Sequence, residues 1–233
     1  MCTLTWRVAE PGGYDLFFNR DELNARAPER PPRAGRTDEG VSYLAPGDGD
    51  HERTWILLNA HGVTVCVLNY YPRGVAETGE ESRGGLPLAC ASCVRAEEVT
   101  GVLRSRVLAR FAPFHLVAVD TEGEAVHLRW DGRALHEAPT PEFLTTSSFE
   151  PERVQADRAA RFAAQPGRRV EELAVFHRQH DAGAGAESVC MRRPDACTRS
   201  VCAVHVRPGV RELAYEAVEW GSAASKIPVV LRL

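Results

Sequence analysis

The chain has 233 residues, of which 44% are hydrophobic and 26% charged, with a formal net charge of −4. A chain of this length buries a core without a metal or disulfide staple, and its mildly acidic balance, with arginines scattered along it, excludes the basic footprint of a nucleic-acid binder. No apolar run approaches the roughly 18 residues of a membrane span, and the start Met1-Cys2-Thr3-Leu4-Thr5-Trp6 lacks the basic and long apolar regions of a secretory signal, so a cytoplasmic protein is expected.

Residues 3–8 and 14–18 read as two strands joined by the turn sequence Glu10-Pro11-Gly12-Gly13. A polar stretch rich in Pro and Arg, from Asn24 to about Asp50, reads as a long loop. Thr54–Leu58 and Val63–Leu68 form a second predicted hairpin across Asn59-Ala60-His61-Gly62. Residues 86–110 carry Leu86, Ala89, Cys90, Cys93, Val99, Val102, Leu103 and Val107 at helical spacing, which predicts a helix ended by Pro113. His115–Asp120 and Ala125–Trp130 predict a third hairpin, residues 151–164 and 169–180 two helices, and residues 198–207, 211–219 and 227–233 three closing strands. The order contains no βαβ repeat. Antiparallel hairpins with helices gathered between them predict a layered α+β fold, with one domain over residues 1–233.

The seven cysteines stand at positions 2, 66, 90, 93, 190, 197 and 202. The odd count points to reduced thiols. Cys2 has a chemistry the others lack. If Met1 is removed, it carries a free α-amine and a thiol on one residue. The amine, with a reference pKa near ~7.7–8.0, then serves as the base that a thiol needs to attack as thiolate. Facing residues in an antiparallel pair have a constant index sum. A turn centred on residues 11 and 12 therefore sets Cys2 against Arg20 or Asp21, within Asn19-Arg20-Asp21-Glu22. An aspartate there can hold the α-ammonium, and an arginine can favour the thiolate or bind a substrate carboxylate.

Met1-Cys2-Thr3-Leu4, the tetrapeptide Asn19-Arg20-Asp21-Glu22, Thr54-Trp55, Leu68-Asn69-Tyr70, Ser82-Arg83-Gly84 and Thr198-Arg199-Ser200 together resemble the NRDE, or transport-and-Golgi-organisation, family. The resemblance implies the four-layer αββα sandwich of the N-terminal-nucleophile (Ntn) hydrolases, two antiparallel sheets flanked by helices. By position it implies Cys2 as nucleophile, Asp21 as support for the amine and Asn69 as oxyanion donor, with Arg20 beside them. Asn19, Glu22, Trp55, Thr146, Ser147 and Arg199 are expected to bind substrate. This chain departs from the related hydrolases in two places. Their arginine lies three residues before the aspartate, where this chain has Phe18, and relatives commonly carry asparagine where this chain has Thr146. The implied activity is hydrolysis of a small amide, with no cofactor and no metal. The alternative it implies is a non-catalytic protein that holds haem or an acyl lipid in the same pocket.

Two other groups have a bland reading and a functional one. Cys90-Ala91-Ser92-Cys93 reads as core packing, the alternative being a zinc site with Cys190, Cys197, Cys202 and His205. His177, His180 and Asp181 read as a solvated helix end, the alternative being a metal or haem ligand.

Overall fold

The computed structural model, which describes residues 1–49, 53–75, 78–221 and 227–233, begins with a long hairpin of β1 (Cys2–Val8) and β2 (Tyr14–Leu23). Cys2 pairs with Arg20 and Val8 with Tyr14. The turn requires Gly13, whose φ is +90° and whose missing Cβ would collide with the Val206 carbonyl. There follow β3 (Arg30–Arg36), β4 (Ser42–Gly47), β5 (Ile56–Asn59) and β6 (Thr64–Asn69). Two short helices, α1 (Leu86–Ala89) and α2 (Glu98–Arg104), lead to β7 (Phe114–Val119), β8 (Ala125–Trp130), β9 (Leu135–Ala138) and β10 (Phe143–Thr146). The longer α3 (Pro151–Ala163) and α4 (Val170–Arg178) precede β11 (Ala196–Arg207), β12 (Val210–Ala217) and β13 (Val229–Arg232).

The strands form two antiparallel sheets, one ordered β10-β1-β2-β11-β12-β13 and the other β3 to β9 in sequence order. Side chains alternate between faces along each strand. The inward residues Leu4, Leu16, Phe18, Cys202 and Val204 of the first sheet meet Ile56, Leu58, Cys66, Leu68 and Val117 of the second in one shared core. The outer face of the second sheet buries Val65, Leu116 and Ala118 against Leu86, Cys90, Val99 and Leu103. The outer face of the first buries Phe17 against Phe162, Leu173 and Phe176 of α3 and α4. The layers are therefore helix, sheet, sheet, helix, an α+β sandwich. Among the described residues no helix is long and apolar enough to cross a membrane.

Three expectations need correction. The stretch taken as a loop from Asn24 to Asp50 contains β3 and β4. Pro31 and Pro32 hid β3, but β3 is the edge strand of its sheet and its register shifts between Arg30 and Arg33, so the missing N–H groups break no ladder. The helix expected over 86–110 is two short ones. The Asn59 side chain takes the Ala91 and Cys93 carbonyls at 3.0 and 2.7 Å, and Asp120 takes the Ala96 N–H at 3.1 Å. Tertiary polar contacts thus replace helical ones across the link, and the apolar spacing recorded burial alone. His177 is fully buried, not a solvated helix end. It packs 5.5 Å from the Phe17 ring beneath the first sheet.

Candidate active site at the head of the first strand

Cys2 begins β1 in the interior of its sheet, with Arg20 of β2 on one side and Thr146 of β10 on the other. Cross-strand partners share a face, with Cβ atoms about 4.5–5.5 Å apart. All three side chains therefore face the second sheet, and Cys2 belongs to the intersheet core. Only 8% of Cys2 is exposed. Burial pushes its thiol up to about 11, against the pull of the Met1 ammonium and Arg20. Thr146 Oγ1 is buried and has no hydrogen-bond partner among the described residues.

Met1 prolongs the strand. Its ammonium donates to the Asp21 carbonyl at 3.2 Å and its carbonyl accepts the Asp21 N–H at 3.1 Å. Its side chain packs on Met191 and Ala196, with the Ser147 hydroxyl 2.8 Å from its sulfur. Met1 also forms a wall common to two cavities. One, of ≈ 120 Å³, is lined by Cys2, Arg20, Trp55, Asn69 and Arg83. The other, of ≈ 200 Å³, is lined by Asn69, Tyr71, Arg83, Ser148 and Arg193. Asn69 Nδ2 donates to the Tyr71 hydroxyl at 3.0 Å and keeps a second N–H for another acceptor.

Arg20 is engaged by carboxylates. It reaches Glu29 at 2.8 Å, Asp48 at 2.8 Å and Glu22 at 3.3 Å, and its guanidinium lies 4.5 Å from the centre of the Trp55 ring. Burial lowers its pKa, but Glu29, Glu22 and Asp48 outweigh burial and raise it. Its charge acts on Cys2, and three hydrogen bonds to carboxylates already engage the guanidinium.

Asp21, next in sequence, faces the other way, onto the helices. Its carboxylate accepts from the Thr198 hydroxyl at 2.6 Å and from Arg158 at 3.1 Å. Its backbone, not its carboxylate, meets the Met1 amine. Arg158 also donates to Thr3 at 2.7 Å and to the Ala186 carbonyl at 2.9 Å.

The structure brings Cys2, Arg20, Asn69, Glu22 and Trp55 around one cavity, with Thr146 beside Cys2 and Ser147 against Met1. It does not bring Asn19 or Arg199 there. Asn19 points to the helices, donating to the His177 and Val189 carbonyls at 2.8 and 3.1 Å. Arg199 holds the Leu23 and Asn24 carbonyls at 3.0 and 3.1 Å. Cys90 and Cys93 lie in the core beneath the second sheet, and no group of three metal-ligating side chains occurs among the described residues.

Sequence reasoning missed Arg158. A signal for Arg158 existed, since it stands midway between Val154 and Phe162 on the buried stripe of α3. A charge within an apolar helical stripe marks a buried ion pair.

No curated protein matches the sequence. Among solved structures, the fold is similar to a mutant conjugated bile acid hydrolase from Clostridium perfringens, with TM-score 0.57 and 13% identity over 100% of this chain and 92% of that one. It is also similar to the Caenorhabditis elegans ortholog of N-acylethanolamine-hydrolyzing acid amidase, with TM-score 0.58 and 9% identity over 87% of this chain and 92% of that one. At such identities the likeness establishes the fold, that of the Ntn hydrolases. The family model described as Transport and Golgi organisation 2 matches residues 1–162, so the chain belongs to the Transport and Golgi organisation 2 (NRDE) family.

Proposed function

We propose that this protein is an N-terminal-nucleophile cysteine amidohydrolase acting on a small amide, with Cys2 as nucleophile after Met1 is removed. The observation that carries the reading is the position of Met1. It covers the Cys2 backbone nitrogen and lines both cavities, together with Asp21, Glu22, Asn69 and Arg83. Its removal frees the α-amine and takes one lining residue from each cavity beside the thiol.

The chemistry follows from the groups in reach. The Cys2 α-amine takes the thiol proton as Sγ attacks the amide carbonyl carbon. The resulting oxyanion is met by Asn69 Nδ2 and by the Thr146 hydroxyl, which has no partner among the described residues. Collapse breaks the C–N bond, and the α-ammonium returns its proton to the leaving amine. Water then hydrolyses the thioester. Arg20 favours the thiolate through its charge. The Met1–Asp21 pair exchanges both backbone bonds, so the Cys2 nitrogen next to it is directed toward its partner Thr146 in β10 and away from Asp21.

The haem version of the binding alternative has no imidazole ligand at hand, because among the described residues no histidine lines either cavity. The test is intact mass followed by labelling with a β-lactam electrophile. Protein lacking Met1 should be acylated at Cys2 ahead of the other six cysteines, and Cys2→Ser should abolish the adduct. Retained Met1 in native protein, or labelling indifferent to Cys2→Ser, would sink the proposal.

A further inference from the structure

We infer that the groove where β3 and β4 extend past the helical layer of the second sheet binds a phosphate monoester carrying a flat apolar group. Arg33 and Arg53 hold the phosphate and Tyr43 carries the apolar part. The site is separate from the thiol chemistry and does not depend on the amidase reading.

The helices α1 and α2 cover only part of the second sheet. Their apolar layer draws on β6, β7 and β8 and takes no residue from β3 or β4. The outer face of those two strands is therefore left open, and a cavity of ≈ 270 Å³ lies on it beside Leu88 of α1. That volume is at the small end of ligand sites and suits a small molecule.

Strand pairing sets the walls. Leu44 points into the intersheet core, so Tyr43 and Ala45 on either side of it point outward. Their cross-strand partners, Gly35 and Arg33, share that face. Arg33 stands on β3 and Arg53 on the β5 side, with the small residues Ala45 and Gly47 of β4 between them. The Tyr43 ring fills the space that a side chain at Gly35 would need, since a Cβ there would lie 2.3 Å from its Cζ. Glycine at 35 thus lets the ring settle on β3 as a platform.

The lining has one sign of charge. Its polar side chains are Arg30, Arg33, Tyr43, Arg53 and Thr54, and no carboxylate occurs among its described residues. Arg30 donates to the Asp48 carbonyl at 2.9 Å and Thr54 to the Ile56 carbonyl at 2.6 Å. The side chains of Arg33, Arg53 and Tyr43 have no ion-pair or hydrogen-bond partner among the described residues. Arg33 is exposed, and the polar atoms of the half-buried Arg53 and Tyr43 keep accessible surface. An anion entering the groove thus displaces only water from two guanidiniums. A phosphate monoester presents three acceptor oxygens in different directions, which suits donors arriving from two strands better than the single plane of a carboxylate. Tyr43, Pro31, Pro46 and Leu88 set apolar surface beside that charge.

The test is calorimetric titration of the full chain with phenyl phosphate at low ionic strength, against inorganic phosphate, phenol and benzoate. Phenyl phosphate should bind at least tenfold more tightly than any of the three. Arg33→Gln and Arg53→Gln should each weaken it at least tenfold. Arg36→Gln, on the same strand but outside the groove, should leave it unchanged. Thermal unfolding checks that each variant is folded, which the exposure of Arg33 favours. No measurable binding, equal affinity for inorganic phosphate or phenol, or an equal loss in Arg36→Gln would overturn the assignment. Benzoate binding as tightly as phenyl phosphate would overturn phosphate as the ligand class. Arg53 also lines the Cys2 cavity. A loss in Arg53→Gln without one in Arg33→Gln would therefore move the ligand to the thiol and overturn the separate site.

Discussion

Arg158 and Asp21 form an ion pair at 3.1 Å in which neither side chain is exposed. The pair ties α3 to the end of β2, behind the strand that carries Cys2. It also explains how adjacent residues of one tetrapeptide serve different layers, Arg20 between the sheets and Asp21 beneath them. Removing one partner of a buried pair strands the other charge. Arg158→Met is therefore expected to cost about 3–5 kcal/mol of unfolding free energy. Arg158→Met combined with Asp21→Leu should recover a large part of that loss. Urea unfolding of the single and double variants measures both. A single variant within 1 kcal/mol of wild type would show the pair to be structurally dispensable.

With Met1 in place, burial holds the Cys2 thiol at about 11, so at pH 8 about one molecule in a thousand carries the thiolate. Removal of Met1 takes one lining residue from each cavity beside the thiol and sets an amine on the same residue. Iodoacetamide at pH 8 should alkylate the Met1-free protein at Cys2 at least tenfold faster than a chain in which Met1 is kept. An added residue before Met1, which blocks its excision, provides the comparison. Equal rates would mean that Met1 does not guard the thiol.

Much of this arrangement was legible before the fold was known, for reasons particular residues make plain. Hairpin arithmetic placed Cys2 opposite Arg20 or Asp21 because the β1–β2 ladder is regular and its turn is short, and the ladder pairs it with Arg20. Alternation along β2 then sends Arg20 and Asp21 to opposite faces. Asn19 was misassigned by that same rule's other half. It shares the outer face with Asp21, where it binds the His177 backbone and not the cavity. β9 and β10, at four residues each, are too short to announce themselves by alternation, yet β10 carries Thr146 to the thiol.

His177 is held neutral. Asn19 uses its amide N–H groups on two carbonyls and turns Oδ1 to His177 Nδ1 at 2.6 Å, so Nδ1 bears the proton and Nε2 accepts from the Thr5 hydroxyl at 2.8 Å. Burial first, then the charges of Arg178 and Arg158, push its pKa down to about 3. An unfolded histidine titrates near ~6.5. Between those values the unfolded chain holds a proton the folded chain lacks, so stability rises with pH through the window and is lost as pH falls. His115, pushed down to about 3 by burial and by His127, adds in the same direction. Each contributes up to about 1.4 kcal/mol per pH unit. Urea unfolding from pH 6.5 to 5, above most carboxylate titration, should show this slope. His177→Gln should lower stability at pH 7 and flatten the slope by about one proton. An unchanged slope would assign the dependence to other groups.

Thr146 separates stability from function. Its hydroxyl is buried beside Cys2 without a partner among the described residues, an arrangement that costs about 1–3 kcal/mol in a folded core. Valine has nearly the same shape and suits a strand. Thr146→Val should therefore leave the fold as stable as wild type or slightly more so. If the hydroxyl is an oxyanion donor, the same change should lower kcat on an accepted amide by about 10²–10³, with KM little altered. Thr146→Ser, which keeps the hydroxyl, should retain most activity and lose a little stability through the missing methyl. Thermal unfolding and steady-state kinetics on the three proteins decide the point. A valine variant that is less stable and fully active would place the hydroxyl in the packing of β10 against β1 and remove it from the chemistry.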